Sequence, residues 1–294
     1  MEEVVKLTLT SKIIGGIVAM LIITLNSIEI HMLRSTRNKV FYEKILLSLT
    51  ICDLITGVYA TFAVPFTSLA KEKYHVLYWI AWAFLVSYCT LNSVIHLIII
   101  GIDRLWAIAS PLHHRIYASN RKLFGAIAIS WFTPSIYIMA NITIVTIQKL
   151  DHHTLYSYTR TSMAKRMAQV LIIADIVLVI SYSAIIIVIW RQKTIRKQST
   201  QSKQRQFIST ITLCTCIALV FVTASTPYVV VHIVDWNKPL WLQKLSIFLF
   251  PMNQILNSVL YMMQKIRTKG KMTIAKKNQN VSSNMKPNVQ DTRL

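Results

Sequence analysis

"YHVLYWIAWAFLVSYCTLNSVIHLIIIGI", residues 74–102, contains no Asp, Glu, Lys or Arg and stops abruptly at Asp103-Arg104. A helix rises about 1.5 Å per residue and the hydrocarbon core of a bilayer is roughly 30 Å thick, so about 20 apolar residues cross it. Residues 74–102 exceed that length and read as a spanning helix. Six more runs meet it, near Ile13–Leu33, Ile45–Leu69, Leu123–Ile147, Ala168–Trp190, Phe207–Val234 and Trp241–Met263. The connectors are short and collect the Lys, Arg, Asn and Gln that the runs exclude. The expected fold class is an all-α integral membrane protein, a bundle of seven transmembrane helices.

Composition agrees with that reading. The chain has 294 residues, 54% of them hydrophobic, with a mean hydropathy of +0.48, which is too apolar for an ordinary soluble domain. The first run lacks a small-residue cleavage site and keeps Asn26 and Glu29 in its later half, so it reads as a permanent span and not a signal peptide. No internal repeat or second domain is evident. The expected organisation is a short extracellular N-terminus over residues 1–12, a transmembrane domain over 13–263, and a basic cytoplasmic tail over 264–294. Within that tail, Lys265–Lys277 reads as a short amphipathic helix along the inner leaflet.

A net charge of +21 raises the question of nucleic acid, which the distribution of charge answers. With seven spans, segments 34–44, 103–122, 191–206 and 264–294 share one side and hold 22 of the 32 Lys and Arg. Basic loops stay in the cytoplasm, which puts the N-terminus outside and the tail inside. Attraction to anionic lipid heads accounts for the excess, at about 1 kcal/mol per residue near the surface. No nucleic-acid partner is expected. Cys52, Cys89, Cys214 and Cys216 all fall inside apolar spans and read as buried free thiols. Asn141-Ile-Thr143 is a glycosylation sequon at the outer end of the fourth span, so Asn141 is the candidate glycan site. The adjacent histidines of "DHHTLY", 151–156, read as polar loop surface, and no metal site is expected.

Charge inside a span costs roughly 2.5–3.5 kcal/mol on insertion scales, so Asp53, in "LSLTICDLITG", needs a partner, a cavity or a task. Other spans offer Asn26, Ser93, Asn253 and Asn257. Small neutral oxygen donors around one carboxylate suit a hydrated monovalent cation or a water network, and such a site is a place where a bundle can repack. Asp103 and Arg104, at the cytoplasmic end of the third span, form a membrane-edge pair. Asp103 holds the guanidinium while the bundle is closed, and Arg104 then offers its planar fork to a new acceptor. Pro111 cannot continue the helix, so "SPLHHR" reads as a short cytoplasmic turn presenting Leu112.

These motifs together resemble the rhodopsin-like (class A) G-protein-coupled receptors, from about Asn26 to Tyr261. "LNSIEI" resembles the first-helix asparagine motif, "LSLTICDL" the second-helix aspartate pattern, and "DRLWAIASPL" the "DRY" motif with its loop proline. Trp131 in "AISWFTP" fits the fourth-helix tryptophan and Tyr182 in "SYSAI" the fifth-helix tyrosine. Phe221 and Pro227 in "FVTASTPY" match the sixth-helix pattern, and Asn257 and Tyr261 in "NSVLY" resemble "NPxxY".

The resemblance implies a plasma-membrane, multi-pass receptor with no enzymatic activity and a heterotrimeric G protein as partner. Asn26, Asp53, Ser93, Asn253 and Asn257 would form a sodium and water cluster, and no cofactor beyond that ion is implied. Asp103, Arg104, Pro111, Leu112, Tyr182, Phe221, Pro227, Asn257 and Tyr261 would carry activation and coupling. Ligand-binding positions by the same matching are Val86, Thr90, Arg166, Tyr228, His232 and Ile247. The chain departs from the family at Trp79, where a cysteine is usual, and at Leu105, Ala174, Ser225 and Ser258. The usual outer disulfide cannot form, and the tryptophan of the core switch is missing. Val86 replaces the acid of amine receptors, so the unknown ligand is not expected to be an amine, and the short N-terminus favours a small molecule, lipid or short peptide.

Two other classes compete. A transporter or ion-conducting protein could use Asp53 as a proton or cation relay, yet it would commonly show two related halves with broken helices, and neither is found. A membrane-embedded enzyme needs convergent metal ligands or a nucleophile with its base, whereas His96 is the only mid-span histidine.

Overall fold

The structure, a computed structural model, describes residues 9–35, 41–69, 72–117, 119–149, 152–195, 201–234, 241–242, 245–246, 248–249 and 251–266. Helices α1 to α8 span Leu9–Arg34, Phe41–Leu69, Glu72–Ala109, Pro111–Tyr117, Asn120–Ile147, His152–Tyr158, Ala164–Ile195 and Gln201–Ile233. A π-helical turn, Thr159–Met163, joins α6 to α7. Residues 251–266 form α9, after shorter helical pieces. Six of these helices, α1, α2, α3, α5, α7 and α8, are long and apolar enough to cross a membrane, and α9 occupies the later part of the seventh apolar run.

The distribution of side chains is the reverse of a soluble protein's. Phe62, Phe124, Phe132, Ile136 and Trp190 point outward and are exposed, while Asn26, Glu29, Asp53, Asn92, Ser93, His96 and Asn257 are buried. Lipid is as apolar as leucine, so burial of apolar surface does not hold such helices together. Close packing and interior hydrogen bonds do. Gly57 illustrates the packing: a Cβ there would lie 2.7 Å from Ile22 Cγ2, so the glycine lets α2 approach α1.

At the centre, α3 packs against α2, α5, α7 and α8. Its partnership with α2 and α5 is fixed by a buried network around His96. Its Nδ1 lies 2.8 Å from Asn92 O, its Nε2 lies 3.0 Å from Ser48 Oγ and 3.1 Å from Ser130 Oγ, and Trp131 Nε1 donates to Ser48 Oγ at 2.8 Å. Ser48 accepts from the indole and so has its proton free for the imidazole, which makes the interior histidine a satisfied structural residue.

Two expectations change. Residues 111–117 are a helix, α4, and not a bare turn, because proline is well placed at the first position of a helix, where no N–H is required. The fifth span begins well before Ala168, since α6, the π turn and α7 run on from His152. Residues 1–8 of the expected short N-terminus, the tail from 267, including most of the expected Lys265–Lys277 helix, and Ile247 lie outside the described residues.

Candidate functional site

Neighbouring residues on a helix do not normally face one another, yet Arg104 folds back onto Asp103. Its Nε donates to Asp103 Oδ2 at 3.0 Å and its Nη2 donates to the same oxygen. His114 of α4 places Nε2 2.8 Å from Oδ1, so both carboxylate oxygens are engaged. The pair is about 95% buried, and the Arg104 guanidinium lies 4.7 Å from the Tyr42 ring centroid. A charge-assisted, doubly donated carboxylate in a dry setting makes a strong local lock. Leu112 is 76% exposed on the far side of α4, and Pro111 starts that helix. Tyr182 donates to Leu97 O at 3.3 Å, its ring lying against Gly101 where a Cβ would come within 3.2 Å. Tyr261 is buried, with Lys265 above its ring, and Lys265 Nζ sits 3.6 Å from Glu43 Oε1, tying α9 to α2.

The residues expected around Asp53 lie in two neighbouring groups, with Glu29 and Asn257 both close enough to act on the Asp53 carboxylate. In one, Ser93 Oγ lies 3.4 Å from Asp53 Oδ1 while donating at 2.9 Å to Cys89 O. In the other, Asn26 Nδ2 donates to Ile22 O at 2.8 Å, and Ser258 Oγ lies 3.0 Å from Asn26 Oδ1 and 2.6 Å from Glu29 Oε2. Asn257 is buried, and its side-chain nitrogen and oxygen have no hydrogen-bond partner among the described residues. Beside the Asp53 group lies a small cavity of about 20 Å³, lined by Thr90 and Ser93 of α3, Phe221 and Ser225 of α8, and Asn253 and Gln254 of α9.

A polar interior running from mid-bundle to a buried Asp-Arg lock, inside an apolar exterior, is now joined by a sequence match. The profile described as "7 transmembrane receptor (rhodopsin family)" matches residues 18–261. This chain belongs to the rhodopsin family of seven-transmembrane receptors. No curated protein matches it. The protein is therefore a seven-helix membrane bundle of a family of signalling receptors, with α9 in the later part of its seventh apolar run.

At the opposite end of this rhodopsin-family bundle from Arg104, Arg166 and Tyr228, two of the candidate ligand positions, both lie near Tyr137. Arg166 Nη2 donates to Asn141 Oδ1 at 3.2 Å and to Tyr158 Oη. Tyr158 also donates to Asn141 Oδ1 at 3.2 Å, and Asn141 Nδ2 donates to Tyr137 O at 2.8 Å. Asn141 is thus 2% exposed, and the nitrogen that would carry a glycan is committed to packing. The Tyr228 and His232 rings, one turn apart on α8, lie 4.5 Å apart and tilted by 50°. Thr90 lines the mid-bundle cavity instead, Val86 lies one turn above it as the acceptor for Thr90 Oγ1 at 2.7 Å, and Pro227 sits inside α8 two residues beyond Ser225.

Sequence reasoning left three residues of these sites without a role. Glu29 was visible as an acid one helical turn after Asn26, a spacing that puts both on one face. His114 reaches Asp103 only because 111–117 is helical. Asp175 of α7 accepts from Ser225 Oγ at 2.8 Å, and a lone acid in an apolar span was the available signal.

Proposed function

We propose that this chain receives an extracellular small molecule, lipid or short peptide and activates a heterotrimeric G protein at the end of the bundle carrying Arg104. The observation that carries this reading is the buried lock of Arg104 and His114 on Asp103, with Tyr42 against the guanidinium. Such a lock is a two-state element: parting the helices withdraws water-excluding neighbours, and the guanidinium, still charged, turns to another acceptor. Leu112, exposed beside it, is a docking contact for the transducer. Tyr182, Phe221, Pro227, Asn257 and Tyr261 carry the rearrangement between the interior and the lock, and the Asp53 group with Asn26, Ser93, Asn253 and Asn257 holds a sodium ion or waters that oppose it. In this reading the Arg104 end lies in the cytoplasm, which the basic segments support, and the receptor acts at the plasma membrane.

The test compares cyclic AMP and calcium in cells expressing wild type and Arg104→Ala at matched surface levels, without added ligand. The expected result is a basal signal that changes with the mutation. A current or solute flux abolished by Asp53→Asn, with no second-messenger change in either protein, would replace the receptor with a transporter.

A further inference from the structure

The chain has four cysteines, and the bundle brings two of them together. Cys52 of α2 and Cys89 of α3 are 0% and 2% exposed, and Cys52 donates its S–H to Cys89 O at 3.9 Å. That contact lays the Cys52 sulfur against the α3 backbone at the residue that carries the second thiol, and the two thiols are close enough to hydrogen-bond to each other. Cys214 instead lies beside Arg104, and Cys216, two residues further along α8, faces another side of that helix.

Buried cysteines ordinarily act as small apolar groups. This pair sits among polar ones. Thr56, one turn after Cys52, donates to Cys52 O at 3.2 Å and lies beside the Cys89 thiol. Asn92 is 0% exposed and lies beside the Cys52 thiol, and neither its Nδ2 nor its Oδ1 has a hydrogen-bond partner among the described residues. Such an unmatched amide costs about 1–3 kcal/mol. Its N–H is a donor suited to a sulfur that gains negative charge in thiol chemistry. Ser93, one turn beyond Cys89 on the same face of α3, lines the small cavity of about 20 Å³, which is room for one water-sized molecule. Hydrogen peroxide is uncharged and little larger than water, so it fits an approach that burial denies to bulky oxidants.

We propose that Cys52 and Cys89 form a peroxide-sensitive dithiol, which oxidises to a disulfide joining α2 to α3. In the first step the Cys89 sulfur attacks one peroxide oxygen: the S–O bond forms, the O–O bond breaks, and the departing hydroxide leaves as water with the thiol proton. In the second the Cys52 sulfur attacks the Cys89 sulfur: the S–S bond forms, the S–O bond breaks, and hydroxide takes the Cys52 proton to leave as a second water. Two thiols and one peroxide thus give one disulfide and two waters, and the sulfurs lose the two electrons that the peroxide gains. Asn92 steadies the charge that builds on Cys52 as it attacks. The new bond pins α2 to α3 one residue from Asp53, in the part of the bundle that the proposed signal has to repack.

The experiment treats the purified full-length receptor in detergent with hydrogen peroxide, quenches it, and alkylates the remaining thiols after denaturation for intact and peptide mass spectrometry. The expected product keeps two of its four thiols and carries a reducible link between the peptides of Cys52 and Cys89. Oxidised glutathione at the same concentration should form that link about tenfold or more slowly, because exchange depends on access to the sulfur. Cys52→Ser or Cys89→Ser should abolish the link, and Cys216→Ser should leave it intact. Should a serine variant not yield folded protein, the wild-type peptide map with and without peroxide carries the test by itself. Four free thiols after peroxide, oxidation that stops at sulfinic acid without a link, a link through Cys214 or Cys216, or equally fast linking by oxidised glutathione overturns the proposal. The readout needs neither ligand nor G protein, so it stands or falls separately from the receptor reading.

Discussion

Asp103 uses both oxygens, and each has a different owner: Arg104 from its own helix on Oδ2, His114 from α4 on Oδ1. A hydrogen bond to a charged group contributes about 1.5–3 kcal/mol, so removing either donor shifts a closed-to-open equilibrium by roughly tenfold or more. His114→Ala is expected to raise basal second-messenger output several-fold, because it frees α4 from α3 and leaves Arg104 loosely held. Arg104→Ala removes the group that would engage the transducer and should not. Output in His114→Ala at or below wild type, at matched surface expression, would remove His114 from the lock. Asp103 and Arg104 were legible because they are the first charges after a long uncharged run. His114 and Tyr42 were not, since their approach depends on α4 being helical and on how α2 lies beside α3. Asp175 was equally plain in the sequence as an acid in a span, but without Ser225 opposite it there was nothing to say what it does.

At the scale of helices, the apolar runs fixed the elements well and their ends poorly. Charged and polar residues at a membrane edge do not stop a helix by themselves, so α3 continues to Ala109 and α7 is preceded by a π turn and α6. Which helices touch was beyond a reading of periodicity, because lipid-facing and interior faces are both rich in apolar residues. Ser258 shows what decides such contacts. Its hydroxyl reaches Asn26 Oδ1 and Glu29 Oε2, joining α9 to α1. Ser258→Ala removes the hydroxyl bonded to Glu29 Oε2, leaving Thr50 as a neighbour of that carboxylate, and should cost about 1–3 kcal/mol. Ser258→Pro, although it brings the sequence closer to the family motif, removes the hydroxyl and also the backbone N–H, for about 3 kcal/mol more. Thermal unfolding in detergent is expected to rank wild type above Ser258→Ala above Ser258→Pro. A proline variant at least as stable as wild type would mean that α9 does not depend on α1 for its position.

For the whole molecule, an apolar exterior does not choose a side of the membrane, but the charge does. The fold could be read from seven apolar runs, while its orientation rests on the 22 of 32 Lys and Arg in segments 34–44, 103–122, 191–206 and 264–294. Each basic residue near an anionic leaflet contributes about 1 kcal/mol, so the asymmetry between the two sides outweighs any single packing contact. An epitope tag at the N-terminus is therefore expected to be labelled on intact cells, and one at the C-terminus only after permeabilisation. The interior polar groups do not themselves choose a side: Asp53 and the cavity beside it lie in mid-bundle and work in either orientation. Arg104 does not. Its lock lies at the α4 end, and a C-terminal tag labelled on intact cells would place that end outside the cell, beyond the reach of any G protein. That result would overturn the receptor mechanism while leaving the fold as it is, which makes the topology of the chain the hinge between its structure and its proposed signal.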